Sequence, residues 1–134
     1  MHESAEQDAM NWADPEAGAV AWRTFERLAE VWQLTLPEKL SLLSVTRATW
    51  NQWQQERAVK LDEAVRERLS YLFGIYAVLQ LLLPVPERAH EWLRKPNRAP
   101  LFSGSTAMAR MRVGGIDDLK QVRAYLDAQL IGKA

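Results

Sequence analysis

The sequence predicts an all-α protein, and three observations carry that reading. Val65, Leu69, Leu72, Tyr76, Leu79 and Leu83 recur at steps of 4, 3, 4, 3 and 4, which draws one apolar stripe down a helix. Residues that cap helix N-termini, Asp14, Thr35 and Thr46, stand directly before other helically periodic segments. No stretch alternates apolar and polar residues as a half-buried strand would. The architecture expected is a helix-turn-helix bundle joined by a long buried central helix to a small C-terminal helical unit. Residues 1–13 read as a disordered tail, 14–60 as the helix-turn-helix region, and 61–134 as the central helix and C-terminal domain.

The central helix is expected from about Leu61 to Leu83. From Leu69 onward Phe73, Ile75, Val78, Leu81 and Leu82 make its other faces apolar too. A membrane span needs about 20 apolar residues. Here Ser70, Gly74 and Gln80 interrupt the run, and Arg66, Glu67 and Arg68 precede it, so a buried helix is expected and no membrane partner. Pro84 and Pro86 end it, because proline cannot continue the hydrogen-bond ladder.

Upstream, Asp14-Pro15-Glu16 gives a cap, a proline at the first helical position and an acid in the first turn. Val20, Trp22, Phe25, Leu28, Val31 and Trp32 then form an apolar face to about Leu34. Thr35-Leu36-Pro37-Glu38 has the spacing of a capping box. It opens a short helix with Leu36, Leu40 and Leu43 inward, and Ser44-Val45-Thr46 is a tight turn. The next helix, Arg47 to about Arg57, turns Trp50 and Trp53 to the core. Two short helices joined by a three-residue turn are the outline of a helix-turn-helix. Its outward face would then carry the DNA contacts Arg47, Thr49, Asn51, Gln52 and Gln55, side chains able to pair with base edges. A solvated polar face of a small bundle fits the same residues, and residues 35–60 carry four basic residues against two acids, modest for a DNA binder.

Downstream, PERAHEWLRK puts Ala89, Trp92 and Leu93 on one helical face and stops before Pro96. PNRAPLFSGS is a loop whose Leu101 and Phe102 are either folded back on the core or displayed for binding. Ser103 or Ser105 is placed to cap the helix TAMARMRV, with Met108 and Met111 inward. Gly114-Gly115 breaks that helix. The last helix repeats Ile116, Leu119, Val122, Leu126 and Leu130 and is expected to stop at Gly132.

Composition bounds the chemistry. The net charge of zero conceals an asymmetry: residues 1–83 hold 8 basic and 12 acidic side chains, residues 84–134 hold 9 and 5. Between Arg94 and Arg112 there are five basic residues and no acid, which suits an acidic partner surface or nucleic acid. There are no cysteines, so thiol nucleophiles, disulfides and thiolate metal sites are excluded. Of the two histidines, His2 falls in the tail and His90 reads as exposed beside Glu91. No phosphate-binding glycine loop, nucleophile elbow or metal-ligand spacing is present, so neither an enzyme nor a cofactor is expected. No basic region followed by an apolar run opens the chain, and a cytoplasmic address is expected.

The ordered motifs Gly74-Ile75, Pro86-Glu87-Arg88-Ala89, Trp92-Leu93-Arg94-Lys95-Pro96-Asn97, Gly104 near a Ser/Thr-capped helix, and Val122-Arg123-Ala124-Tyr125-Leu126 span about residues 65–130. Together they resemble the toxin-binding domain of the Xre/MbcA/ParS antitoxins, and the N-terminal half is similar to the Xre-like helix-turn-helix that such proteins often carry. Two places depart from the family pattern: Leu101-Phe102-Ser103-Gly104 replaces an apolar-Gly-Gly run, and Ala107-Met108-Ala109-Arg110-Met111 replaces a leucine-rich helix. The resemblance implies an antitoxin that blocks a RES-domain toxin acting on NAD⁺ and, through the helix-turn-helix, represses its own operon as a homodimer. It assigns toxin contact to Trp92, Arg94, Lys95 and Asn97 and to the loop through Arg98, Leu101, Phe102, Ser103, Gly104 and Thr106. Trp92 and Leu93 are equally suited to holding that loop on the core. The alternatives are a stand-alone helix-turn-helix regulator and a structural adaptor with a degenerate helix-turn-helix.

Overall fold

The structure, a computed structural model, describes residues 12–133. Among them are seven helices: α1 Pro15–Val31, α2 Leu36–Leu43, α3 Arg47–Gln55, α4 Glu63–Leu82, α5 Pro86–Arg94, α6 Ala107–Val113 and α7 Ile116–Lys133. The all-α expectation holds. An isolated bridge between Pro96 and Thr106 is the one β-type pairing among the described residues. Most of the expected tail, residues 1–11, lies outside the description. Trp12, which the sequence reading placed in that tail, packs edge-on against Phe73 at 5.3 Å.

Local chemistry sets the helix starts. Asp14 accepts from the Ala17 amide at 3.2 Å, and Asp62 from Val65 at 2.9 Å. Thr35 and Glu38 form the reciprocal capping box, at 3.3 and 2.9 Å. Ser44 ends α2 in the left-handed region, φ 57°, and Thr46 caps α3 through the Thr49 amide at 3.1 Å. The helix-turn-helix geometry therefore follows from three consecutive local signals. Several boundaries differ from expectation: α1 ends at Val31 and not near Leu34, and α4 runs Glu63–Leu82 and not Leu61–Leu83. The helix α3 stops at Gln55, two residues short of Arg57, and α5 stops at Arg94. Thr106, rather than Ser103 or Ser105, caps α6, through the Ala109 amide at 3.0 Å. Gly132 does not stop α7, which runs to Lys133.

The core is continuous across both halves. Trp22, Phe25, Trp32, Trp50 and Trp53 fill the N-terminal part, with Trp22 edge-on to Trp50 at 5.4 Å. The inward residues of α4 are Val65, Leu69, Leu72, Ile75, Val78 and Leu79. The helices α4 and α7 run the same way: Arg68 shares a groove with Ile116, and Leu79 shares another with Leu126. Three apolar expectations fail. Val20 is 60% exposed and Leu81 is 67% exposed, so α4 is not buried on every side. In α2 the fully buried leucines are Leu42 and Leu43, while Leu36 and Leu40 are half-buried. Among the described residues no single helix is long and apolar enough to cross a membrane.

Gly18 lies where the chain after α3 crosses α1. The Val59 amide donates to the Pro15 carbonyl at 3.0 Å, and a Cβ on Gly18 would sit 2.2 Å from the Val59 carbonyl oxygen. Backbone cannot yield there as a flexible side chain could. Gly18→Ala is expected to cost about 2–3 kcal/mol despite its better helix propensity, read as a lowered denaturant midpoint at unchanged m-value.

Candidate functional site

The loop between α5 and α6 is built by its own backbone. Lys95 leaves the helix in extended conformation, as a residue before proline must. The neck is closed by Asn97 N donating to Ser105 O at 2.9 Å and Gly104 N donating to Asn97 O at 2.7 Å. Asn97 Oδ1 accepts from the Ala99 amide at 2.9 Å, and the Phe102 and Ser103 amides donate back to Ala99 O at 2.9 and 3.0 Å. Ser103 at φ 50° and Gly104 at φ 89° turn the chain through the left-handed region. The loop is thereby ordered without a partner.

Its tip is anchored inward. Phe102 is 3% exposed, with ring centroids 5.9 Å from Trp92 and 5.3 Å from Tyr125, both edge-on. Arg110 holds the same tip, with Nη1 donating to Leu101 O at 2.6 Å, Nη2 to Gln121 Oε1 at 2.7 Å and Nε 2.7 Å from Asp118. Between the two readings of Leu101 and Phe102, the aromatic ring is folded back on the core.

Arg94, expected on the partner surface, is turned to the N-terminal half. Its Nη1 and Nη2 donate to the two Glu38 carboxylate oxygens at 2.7 and 3.0 Å. Nη2 also donates to the carbonyls of Trp32 at 3.2 Å and Gln33 at 3.1 Å, and Nε to His90 Nδ1 at 3.2 Å. The Arg94 guanidinium, together with the Thr35 amide, holds the Glu38 carboxyl at about 2, well below its usual 4.5 and against the opposing effect of burial. His90 is half-buried and lies 3.0 Å from Trp32 O, which corrects its expected exposure. A second arginine, Arg112 on α6, reaches Ser41 of α2 at 3.3 Å. Both stems of the loop are thus docked on the first helix of the helix-turn-helix. Sequence reasoning missed this link because Glu38 and Arg94 are 56 positions apart, and each has a local explanation, a capping box and a basic run.

Of the residues expected to meet a partner, Lys95, Arg98, Ser103 and Gly104 are outward, and Asn97, Leu101, Thr106 and Trp92 are half-buried. On α3, Trp50 and Trp53 are buried as expected, and Arg47, Asn51, Gln52 and Gln55 are exposed. Thr49 is half-buried and its hydroxyl is 3.1 Å from that of Thr46, while Gln52 donates to Glu56 at 3.2 Å. Arg47, Asn51 and Gln55 make no side-chain hydrogen bond among the described residues. No group of metal-ligating side chains is present among the described residues.

Residues 12–74 match the family model of the antitoxin Xre-like helix-turn-helix domain, and residues 78–130 match that of the antitoxin Xre/MbcA/ParS C-terminal toxin-binding domain. The relative named Uncharacterized protein y4oB, of Sinorhizobium fredii (strain NBRC 101917 / NGR234), is 37% identical over 106 residues, covering 78% of this chain and 80% of its own length. The chain belongs to the Xre/MbcA/ParS antitoxins. The two matched regions meet inside α4, the first ending at residue 74 and the second beginning at 78. In this antitoxin the loop, the anchor Trp92, Phe102 and Tyr125, and Arg94 itself all fall within the second match, while Glu38, on which Arg94 closes, falls within the first, so the clamp joins the toxin-binding domain to the helix-turn-helix.

Proposed function

We propose that this antitoxin neutralises a RES-domain, NAD-consuming toxin in the cytoplasm through the outward face of the 95–106 loop. The observation that carries the proposal is the division of labour within that loop. Arg94, Phe102 and Arg110 are engaged inside the chain, and Lys95 and Arg98 stand exposed beside Ser103 and Gly104. A pre-ordered basic loop loses little conformational entropy on docking and suits an acidic partner surface. Asn97 and Thr106 set the neck, and Trp92 supports the tip. By this reading Arg94 and Phe102 are positioning residues, and the partner contacts are Lys95, Arg98, Leu101, Ser103 and Gly104.

The test is co-purification of tagged chain with the RES-domain toxin. Lys95→Glu combined with Arg98→Glu is expected to weaken capture by at least about tenfold, with stability within about 0.5 kcal/mol of wild type because both side chains are exposed. Undiminished capture by that folded variant would sink the loop assignment.

The same chain is proposed to bind its operator as a homodimer through Arg47, Asn51 and Gln55, with Thr49 and Gln52 flanking. These three side chains are exposed on α3, whose inward face carries the buried Trp50 and Trp53. Arg47→Ala and Asn51→Ala are each expected to reduce affinity for the upstream operator by about tenfold in a gel-shift titration and to leave toxin capture unchanged. Equal binding to scrambled DNA would remove the operator reading.

A further inference from the structure

A groove between the α2–α3 turn, α3 and α4 contains a largely buried cation that forms no ion pair among the described residues. Arg68 is 7% exposed, and its Nε donates to the Leu42 carbonyl at 2.7 Å. Among the described residues its guanidinium makes no further hydrogen bond and no ion pair. Burial holds its pKa below the ordinary arginine value, with only partial relief from Asp118, and Asp118 lies 2.7 Å from the Nε of a different arginine, Arg110. A buried charge is normally paired. Arg68 lines a cavity of about 530 Å³, the size of a small-ligand site. Trp53, Val65 and Ile116 give that cavity an apolar wall, and Lys60 adds a second cation. Three acids also border it. Asp62 is the α4 cap, Glu56 accepts from Gln52 and Glu67 is exposed, and all three add negative charge, so an anion would be held by direct contact with Arg68 and not by the net charge of the lining.

We propose that this groove binds a small organic anion, with a carboxylate or phosphate held by Arg68 and Lys60 and an apolar body against Trp53 and Val65. The occupant would touch α3 and α4 at once and brace the helix proposed to read DNA. Only that consequence for operator affinity rests on the proposed function; the binding does not.

The experiment titrates the full-length, ¹⁵N-labelled chain with sodium benzoate, sodium acetate and inorganic phosphate, each against sodium chloride at equal ionic strength, and follows backbone amides by NMR. Benzoate is expected to give saturable shifts confined to residues 43–49 and 64–68, with a Kd of about 1 mM, and acetate to bind at least about tenfold more weakly for lack of an apolar body. Saturation by phosphate in place of benzoate supports the same site and assigns it a phosphate head. Arg68→Gln should abolish the shifts, and Arg68→Lys should retain them at reduced affinity. Lys60→Met, at an exposed position, keeps the test decisive where Arg68→Gln does not fold, and should weaken binding severalfold. The proposal is overturned if none of the anions shifts these amides beyond the chloride control, or if Arg68→Lys and Lys60→Met both bind as wild type does.

Discussion

Arg94→Ala is expected to destabilise the antitoxin by about 3 kcal/mol, because it strands Glu38. That carboxylate is 7% exposed and takes both Nη donors of Arg94. Removing one partner of a buried pair leaves the other desolvated and unmatched, typically a loss of about 3–5 kcal/mol; the lower end applies because Arg94 itself is 29% exposed. For a chain of this size the loss corresponds to roughly 10 °C in Tm. Arg94→Lys should recover only part of it, since an ammonium cannot fork across two carboxylate oxygens while also reaching the Trp32 and Gln33 carbonyls. The pH dependence follows from the sign of the Glu38 shift. Its pKa is lowered from 4.5 to about 2, so the folded state prefers the ionised form. That contribution, about 2–3 kcal/mol, is complete above about pH 5 and is lost as the pH falls from about 4.5 towards about 2. Denaturant melts of wild type and Glu38→Gln should therefore differ most near neutral pH and converge in acid. A gap independent of pH would show that the carboxylate charge is not what the clamp uses.

Phe102→Ala is expected to cost about 3–4 kcal/mol and to disorder the loop. The ring is 3% exposed and stands between Trp92 and Tyr125, so truncation leaves a cavity lined by two aromatic faces and removes two edge-on contacts. Toxin capture should fall with it, although Phe102 itself does not reach the surface. Phe102→Leu, which fills more of the site, should restore most of both. Hydrogen exchange separates this from a direct contact: in Phe102→Ala the amides of Phe102, Ser103 and Ser105, which donate within the loop, should lose protection. Protection unchanged beside lost capture would make Phe102 a contact residue after all.

What was legible in the sequence was local. The caps at Asp14, Thr35 and Thr46, the proline stops and the helical spacing of α4 and α7 each depend on residues within one or two turns of one another. They produced the all-α fold and the helix-turn-helix turn. Gly132 was misread because a glycine near a chain end reads as a stop, yet nothing in its immediate neighbours forces the left-handed conformation a stop uses. The candidate site was legible as a segment and not as a division of roles. A basic residue in a loop looks the same from sequence whether it meets a partner, as proposed for Lys95 and Arg98, or closes on an acid of α2, as Arg94 does. Burial of Phe102, Arg68 and His90 is likewise set by helices distant in the chain, which local sequence pattern does not reveal.

The proposed inhibition of an NAD-consuming toxin by this chain can be read directly in cells. The most direct measurement is cellular NAD⁺ during induced expression of the RES-domain toxin alone, with the wild-type chain, and with the Lys95→Glu/Arg98→Glu variant. Depletion and growth arrest are expected with toxin alone, restoration of both with wild type, and little restoration with the variant. Full restoration by the variant, or no depletion by the toxin, would contradict the proposal.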